Sequence, residues 1–297
     1  MRVEVRGLAK RFGNVEALRG VSFELPAGRR VALVGPNGSG KSTLNRALMG
    51  LLRCEGEVWL DGASLREDGL ALARRRAYVP QIAPSFAVPV GELLLALVRI
   101  RGASLARVEE LAGRLDLDLG SLRRQPFRGL SGGTKQKILI ALALASGASL
   151  LILDEPTGSL DAWSRERFPA LLEDCAPGAT VLFCSHRLGE VRQLVDHVLV
   201  LHEGRLVHDG PADAFLDSST RGLLEVRAEG SAAARWLEGR GFRRGGGDWW
   251  LFSAAPAEKL GLLAELGPAL GPALRDVIAR DGEAQVPAPR EGGHGRV

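Results

Sequence analysis

Short runs of residues that are either all apolar or alternate between apolar and polar recur along the first third of the chain. They are interrupted by a segment in which the apolar residues have helical spacing. They predict strands at VEVRGL, VSFEL, RVALVG (30–35), EVWLDG and RAYVPQ (76–81), and a helix that begins at the lysine of GKSTLNRALMGLL. Strands that alternate with helices are typical of a partly parallel sheet covered by helices. The pattern therefore predicts an α/β architecture for this part of the chain.

Between about residues 82 and 130 the strand pattern gives way to helical periodicity with glycine stops, in VGELLLALVRIRG, LARVEELAGRLDL and LGSLRRQ. Strand patterns return at SLLILD (149–154), ATVLFCSH (179–186) and HVLVLHEGRLVHDG (197–210). We interpret 82–130 as a helical insertion in a mixed sheet core that extends over residues 1–215.

The last part of the chain has a pattern of its own. GLLEVRAEG, GGDWWLFSA and ALRDVIARDG resemble strands, and SAAARWLEGRGF and PAEKLGLLAELG resemble helices. These segments predict a small α+β domain over residues 221–283. The tail, residues 284–297, is rich in proline, glycine and charge and is expected to be disordered.

One uncharged stretch, ILIALALASGASLLIL (138–153), has the appearance of a membrane span. It is shorter than the roughly 20 residues that a span needs, and SGAS interrupts it. A buried helix followed by a buried strand explains it better, so no transmembrane segment is predicted.

Composition excludes several classes of protein. Hydrophobic residues make up 45% and charged residues 25%, as in ordinary soluble globular proteins, so neither a fibrous nor a disordered chain is indicated. The net charge of +4 comes with arginine clusters at 74–76 and 123–124. Such clusters suit nucleic acid or anionic lipid, but with a single tyrosine and no interleaved aromatic residues we favour a solvated face.

The three cysteines, Cys54, Cys175 and Cys184, have neither the spacing of a zinc site nor the even count of a disulfide framework. We therefore expect a reducing, cytoplasmic setting. The beginning of the chain, MRVEVRGLAKRFG, is charged and lacks an apolar signal core, so no secretion signal is predicted.

The stretch GPNGSGKS (35–42) fits the pattern G-x-x-x-x-G-K-[ST] and lies between a predicted strand and a predicted helix, as a phosphate-binding loop requires. Its glycines let backbone N–H groups converge on phosphate oxygens, Lys41 reaches the β- and γ-phosphates, and Ser42 offers a hydroxyl to Mg²⁺. A glycine-rich turn without a ligand is the weaker alternative. The nucleotide-binding residues predicted here are Gly35, Pro36, Asn37, Gly38, Ser39, Gly40, Lys41, Ser42 and Thr43.

Two acids end the apolar strand of SLLILDEP. We expect Asp154 to hold Mg²⁺ and Glu155 to orient and polarise the attacking water. A helix N-cap explains either acid alone but not both together. His186, after the strand VLFCSH, is expected at the same sheet edge, where it can donate to the γ-phosphate, although a lone histidine at a strand end is usually structural.

The segments GPNGSGKST, YVPQ, LSGG, LILDEP, GSLD and CSH occur in the order found in the ATPase subunits of ATP-binding-cassette (ABC) transporters, and the resemblance covers about residues 1–215. It implies a P-loop cassette that binds ATP and Mg²⁺. It also implies roles for four residues outside the P-loop: Phe12 stacks on adenine, Gln81 contacts Mg²⁺ and the attacking water, Asp161 signals across a dimer, and His186 is the switch histidine. For Phe12, core packing is the alternative.

The resemblance also gives LSGG a purpose. Ser131, Gly132 and Gly133 would present a hydroxyl, N–H groups and a helix dipole to a γ-phosphate held by the P-loop of a second subunit. Two ATP molecules would then be buried between head-to-tail subunits, most simply in a homodimer. The family's usual glutamine after this motif is Thr134 here, and activity is expected to survive that change.

These expectations converge on an ATPase that energises a separately encoded transmembrane permease from the inner face of the cell membrane. The alternative is a soluble ABC ATPase that acts on nucleic acid or the translation machinery, but the double cassettes, zinc modules and coiled-coil arms of such relatives are not visible. No nucleic acid partner is therefore expected. SHRLGEV and the C-terminal domain resemble the export-type branch, and LSGGTKQK with CSH is similar to ATPases that mature the copper sites of nitrous-oxide reductase.

Overall fold

A computed structural model describes residues 1–184, 194–213, 215, 222–254 and 256–280. Its described residues form two compact units, one comprising 1–184 and 194–210 and the other beginning at Pro211. Each unit has a hydrophobic core of its own.

The first unit opens with an antiparallel sheet whose strand order is β2-β1-β4-β5. The long strands β1 and β2 form a hairpin in which Phe12 pairs with Val15 beside the turn. The strands are β1 (Val3–Phe12), β2 (Val15–Leu25), β4 (Glu55–Leu60) and β5 (Ala63–Ser64).

The second sheet of this unit has six strands in the order β10-β9-β3-β8-β7-β6. Pairing is parallel between β3 and both β8 and β9, and between β7 and both β6 and β8. β7 and β8 are buried along their whole length, as their unbroken apolar sequences predict. The strands are β3 (Arg30–Val34), β6 (Arg76–Val79), β7 (Leu150–Asp154), β8 (Thr180–Cys184), β9 (His197–His202) and β10 (Arg205–Pro211).

Helices of the first unit fall mainly between β6 and β7, where helical periodicity predicts them. They are α1 (Lys41–Leu48), α2 (Gly69–Ala73), α3 (Val90–Arg101), α4 (Leu105–Gly113), α5 (Leu119–Leu122), a 3₁₀ turn (Phe127–Gly129), α6 (Gly132–Ala145) and α7 (Ala162–Cys175). A core cluster joins both sheets to α1 through side chains such as Val5, Leu33 and Leu44. The P-loop NTPase-type mixed sheet is therefore confirmed.

Between Gly222 and Arg280, the described residues of the second unit form a four-stranded antiparallel sheet with two α-helices, in the chain order β-α-β-β-α-β. The sheet order is β12-β13-β11-β14, and Leu224, Val226 and Trp250 pack with the helices α8 and α9. The elements are β11 (Gly222–Ala228), α8 (Ser231–Gly239), β12 (Arg243–Arg244), β13 (Trp249–Ala254), α9 (Pro256–Leu270) and β14 (Leu274–Arg280). The α+β character predicted for the end of the chain is confirmed.

The apolar stretch 138–153 is a buried helix, α6, followed by the buried strand β7, as predicted. Across the part of the chain that the structure describes, no helix combines the length and hydropathy needed to cross a bilayer.

Candidate nucleotide site

The predicted phosphate-binding loop connects β3 to α1, and the helix begins at Lys41. Gly40, the N-cap, has a φ of +107°, and a Cβ there would lie 2.5 Å from the carbonyl oxygen of Ala17 in β2. Only glycine fits this position, because a side chain would meet both backbone strain and a backbone atom. The same approach brings strand β2 of the β1–β2 hairpin next to the loop.

Lys41 folds back over its own loop, where its ammonium donates to the carbonyl oxygens of Gly35 at 2.6 Å and Pro36 at 3.0 Å. Ser42 is exposed and Thr43 half-buried in the first turn of α1. The N-terminal N–H groups of a helix and a lysine at this position form a positively polarised site that suits phosphate.

The parallel register brings three strand ends to the same edge of the sheet. Cys184 of β8 pairs with Leu33 of β3 and with Asp154 of β7. The P-loop, Asp154 and Glu155 therefore lie at one sheet edge, as predicted from their position after parallel strands. His186 lies outside the described residues.

Asp154 is a buried carboxylate, only 5% exposed. The hydroxyl of Tyr78 in β6 donates to Oδ2 at 3.1 Å, and the nearby Asn45 of α1 donates its side-chain amide to Sγ of Cys184 at 2.9 Å. Burial raises the pKa of the Asp154 carboxyl, whereas the hydrogen bond from Tyr78 and the charge of Lys41 act in the opposite direction.

Glu155 follows Asp154 in a left-handed backbone conformation, with a φ of +47°. Its N–H donates to the carbonyl of Cys184 at 2.8 Å, which ties the turn to the neighbouring strand β8. A side chain at such a φ costs roughly 1–2 kcal/mol, and residues of this kind cluster at functional sites. Glu155 is thus held, at an energetic cost, directly beside the buried Asp154.

Ser131 is the N-cap of α6 and is exposed. Its Oγ accepts the backbone N–H of Thr134 at 3.1 Å and lies 2.8 Å from the Thr134 hydroxyl. Thr134 therefore supports the turn that contains Gly132 and Gly133, a contact that the sequence leaves unexplained. A Cβ on Gly133 would lie 2.6 Å from the carbonyl oxygen of Ser159, so the turn packs closely on the segment that follows Glu155.

Two further side chains of α6 tie it to neighbouring parts of the unit. Nε2 of the buried Gln136 donates to the carbonyl of Pro80, directly before Gln81, at 3.5 Å. Lys137 forms an ion pair with Asp161 at 2.7 Å. This ion pair, together with the N-cap bond from the Ser164 N–H, holds the pKa of Asp161 well below its usual value.

Phe12 and Gln81, the remaining predicted residues, are both exposed. The Phe12 ring ends β1 and has the Lys10 ammonium 5.3 Å from its centroid. This exposed aromatic ring at the end of the β1–β2 hairpin is available for stacking on a base. Gln81 lies just past β6, next to the strand β7 that ends in Asp154.

Sequence reasoning misses four polar residues that support this site: Tyr78, Asn45, Gln136 and Lys137. Tyr78 belongs to YVPQ and Lys137 to LSGGTKQK, but no role follows from those segments alone. Asn45 carries the clearest signal, because it lies four residues after Lys41, one helical turn along, among the apolar residues of α1. A polar residue at such a position requires a hydrogen-bonding partner.

The available oxygens fit Mg²⁺. The buried carboxylate of Asp154, the hydroxyl of Ser42 and the side-chain amide of Gln81 are ligands of the kind that this ion takes, directly or through water. Within the described residues, the buried Oγ of Ser39 and Oδ1 of Asn45 have no hydrogen-bonding partner. Unsatisfied buried oxygens beside a phosphate loop are the mark of a polar site rather than of an apolar core.

Chemically, these groups are suited to binding a polyphosphate and to polarising water near its end. Lys41 and the α1 N-terminus supply positive potential, and Asp154 and Glu155 follow a strand that ends at the same sheet edge as the loop. This arrangement is that of phosphoryl-transfer sites, in which positioning and electrostatics supply most of the rate enhancement.

Comparison with known proteins identifies the family. The sequence profile described as "ABC transporter" matches residues 18–158. The aliphatic sulfonates import ATP-binding protein of Rhodopseudomonas palustris is 35% identical over 80% of this chain and 80% of its own length. The hemin import ATP-binding protein of Bradyrhizobium diazoefficiens is 36% identical, over 76% of this chain and 89% of its own.

Similar solved structures point to the same family. The ATP-binding subunit of an ABC transporter superposes with a TM-score of 0.65 at 28% identity, over 72% of this chain and 92% of its own. A dimeric ATP-binding cassette in a post-hydrolysis state, bound to ADP and Pi, superposes with a TM-score of 0.63 at 25% identity, over 71% of this chain and 98% of its own. With its phosphate loop, paired acids and LSGG turn in place, this chain is an ATP-hydrolysing member of the ABC transporter family of ATP-binding subunits.

Proposed function

We propose that two copies of this chain close head to tail around two ATP molecules. The P-loop of one copy holds each nucleotide, with Phe12 on the adenine, and Ser131, Gly132 and Gly133 of the other copy cover its γ-phosphate. The dimeric relative bound to ADP and Pi supports this arrangement. So does the exposed, capped start of α6, because its N–H groups and dipole favour a phosphate.

In this assembly Glu155 orients and polarises the water that attacks the γ-phosphate, and ATP and water become ADP and phosphate. Lys41 neutralises the phosphate oxygens, and Gln81 positions the water. Asp154, Ser42 and Gln81 would hold Mg²⁺, which when bound neutralises charge on the phosphates. His186 donates to the γ-phosphate, and Asp161 reports the state of the site to the other copy.

We infer further that hydrolysis drives a separate transmembrane permease, with the chain on the inner face of the membrane. The observation that carries this proposal is an apolar exposed surface on the segment after Gln81. Ile82 is 83% exposed, Ile100 of α3 is 64% exposed, and Phe86 and Leu95 are also exposed. Four large apolar side chains exposed between residues 82 and 100 favour a partner surface on this part of the chain.

The transported cargo is proposed from sequence resemblance. SHRLGEV and the α+β domain favour export, and LSGGTKQK with CSH favours the maturation of a copper site. One relative is named for export: the Nod factor export ATP-binding protein of Burkholderia orbicola is 32% identical over 78% of this chain and 79% of its own length. Because the relatives named for sulfonate and hemin are importers, direction is tested by following transport in vesicles of both orientations.

The shared site is tested with Glu155→Gln, which keeps the side-chain volume and removes the charge. With ATP and Mg²⁺ we expect this variant to elute as a dimer in size-exclusion chromatography with light scattering. Lys41→Ala in the same background is the matched control and is expected to stay monomeric, because it cannot hold the phosphates. A persistent Glu155→Gln monomer at saturating ATP would contradict the shared site.

The permease is tested first by sequencing the neighbouring genes, where a multi-span membrane protein is expected, and then by co-expression of that protein with this chain. We expect a stable complex in detergent and a change in ATP hydrolysis when the partner is present. If RNA or ribosomes stimulate hydrolysis and no membrane protein does so, the soluble ABC ATPase acting on nucleic acid is the better assignment.

A further inference from the structure

An open cavity of about 590 Å³ lies in the first unit, between the antiparallel sheet and the C-terminal end of α1. Its floor is apolar and buried, and the segment 50–54 between α1 and β4 forms one side. Among the described residues that line it, none belongs to the P-loop, and Ala47 lies about 9 Å along the helix axis from Lys41. The floor residues are Leu8, Ala47, Val58 and Leu65.

Three cationic side chains gather at this cavity. Arg53 and Arg66 line it and are exposed, and the ammonium of Lys10 donates to the backbone carbonyl of Arg53 at 2.8 Å. Within the part of the chain that the structure describes, no carboxylate pairs with any of the three. Glu55 and Glu67 are close to them in sequence and still form no such pair. The cavity therefore combines an apolar floor with three positive charges that lack a counterion.

These cations keep N–H groups for a ligand. The Lys10 ammonium carries three donors, and Arg66 carries five, of which one reaches the backbone carbonyl of Cys54 at 3.5 Å. An arginine elsewhere on the same sheet is paired instead: Arg2 lies 2.8 Å from Glu24. Charge-assisted hydrogen bonds from guanidinium groups are the stronger class, and carboxylates and phosphates are the anions whose geometry they match.

We propose that this cavity binds an amphipathic anion, with its apolar body on the floor and its carboxylate or phosphate on Arg53, Arg66 and Lys10. An uncharged apolar ligand would leave the three cations without a counterion, and an inorganic anion would leave the floor in water. The volume is within the range of about 300–1,000 Å³ that is usual for ligand sites with an apolar lining and a few polar groups. Two sources supply this chemistry, a free long-chain anion and an anionic phospholipid.

Cys54 makes occupancy measurable, because its half-buried thiol lies in the cavity wall. Cys175 is the internal control: it is also half-buried but lines a different cavity, whereas Cys184 is fully buried. Burial raises the pKa of both half-buried thiols, so iodoacetamide is used at alkaline pH and the products are counted by mass spectrometry. Dodecyl phosphate, at ten times its Kd and below its micelle concentration, should slow alkylation at Cys54 about tenfold and leave Cys175 unchanged.

Calorimetry with the same probe measures the charged contacts directly. Arg53→Gln and Arg66→Gln should each raise the Kd for dodecyl phosphate about tenfold. Arg124→Gln, at an exposed arginine of the helical insertion, removes the same charge and should leave the Kd unchanged. Between hexyl and dodecyl phosphate, affinity should increase about fourfold for each methylene group that becomes buried.

Dodecyltrimethylammonium, with the same chain and the opposite charge, should not protect Cys54. Equal protection by this cation would overturn the proposal, as would the absence of both protection and binding heat with dodecyl phosphate. Vesicles of phosphatidylglycerol separate the two sources: flotation of the protein with them, lost in the Arg53→Gln Arg66→Gln double variant, identifies the anion as a membrane lipid. Binding of dodecyl phosphate without flotation identifies it as a free amphiphile. No step uses ATP, so failure here leaves the proposed nucleotide chemistry standing.

Discussion

The close contact between α6 and the segment after Glu155 makes a sharp prediction at Gly133. A Cβ added here would lie 2.6 Å from the backbone carbonyl oxygen of Ser159. The neighbouring Gly132 has only the Ser159 hydroxyl oxygen at 4.0 Å, an ordinary distance. The two glycines are adjacent in one helical turn and differ in the space around them, so each serves as the control for the other.

Alanine favours a helix over glycine by up to about 1 kcal/mol, and this gain applies to either position. At Gly133 the gain is opposed by a backbone shift, since overpacking costs typically 1–3 kcal/mol and a carbonyl oxygen cannot move away as a flexible side chain can. We therefore expect Gly133→Ala to lower the free energy of unfolding by about 1–2 kcal/mol and Gly132→Ala to leave it equal or higher.

Stability without nucleotide is the right measurement, because both glycines are proposed to face a phosphate and both variants can lose activity. Thermal unfolding should show Gly133→Ala about 2–8 °C below the unsubstituted protein, from about 2–4 °C per kcal/mol for a unit of this size. Gly132→Ala should not melt lower. If Gly133→Ala is as stable as Gly132→Ala, the packing of α6 against Ser159 is not the reason for glycine at this position.

Three further predictions concern the acids of the site. Because burial raises the pKa of Asp154, the folded protein binds the carboxyl proton more tightly than the unfolded chain does, and the free energy of unfolding falls as pH rises through the folded pKa. Asp154→Asn should therefore abolish ATP hydrolysis and yet raise the free energy of unfolding at pH 7 by about 1 kcal/mol, as measured by urea unfolding. A variant less stable than the unsubstituted protein would contradict this. Glu155→Gly should have a free energy of unfolding about 1 kcal/mol higher than that of Glu155→Ala, because only glycine adopts the left-handed φ without strain. Equal stabilities of the two variants would show that Glu155 is not strained. The pKa of Asp161 is lowered, so its ion pair with Lys137 stabilises the fold at pH values above the unfolded pKa of 3.8, and this stabilisation is lost as pH falls towards the folded pKa. Lys137→Met should lower the free energy of unfolding by under about 1 kcal/mol at pH 7, and by less in 1 M salt. A loss that does not depend on salt would show that packing, rather than the ion pair, is responsible.

The hydrophobic pattern predicts most of the fold because the two sheets of the first unit differ in the spacing of apolar residues along their strands. β7 and β8 are continuous apolar runs and are buried on both faces, and the P-loop pattern locates the turn between β3 and α1. Parallel pairing then places Asp154 beside the loop, since parallel strands carry their C-terminal residues to one edge. The left-handed φ of Glu155 has no counterpart in the sequence, because glutamate is not a residue that favours it.

The supporting contacts are harder to predict, for a physical reason. Tyr78, Asn45 and Lys137 each bond to residues between 24 and 139 positions away. Such pairs depend on strand order and on the direction in which a side chain leaves its helix, neither of which a local pattern contains. A polar residue on a buried helical face shows that a partner exists, but only the fold shows which partner it is.

Helix α6 joins three places in the nucleotide-binding unit: the capped turn at Ser131, the carbonyl before Gln81 through Gln136, and Asp161 through Lys137. A continuous helix of 14 residues, about 21 Å long, connects these points without a break. Linkage then requires reciprocity: a partner on the insertion that tightens ATP binding tenfold must itself be bound ten times more tightly by the ATP-loaded protein. Titrating that partner with and without nucleotide would measure the same coupling free energy from the opposite direction.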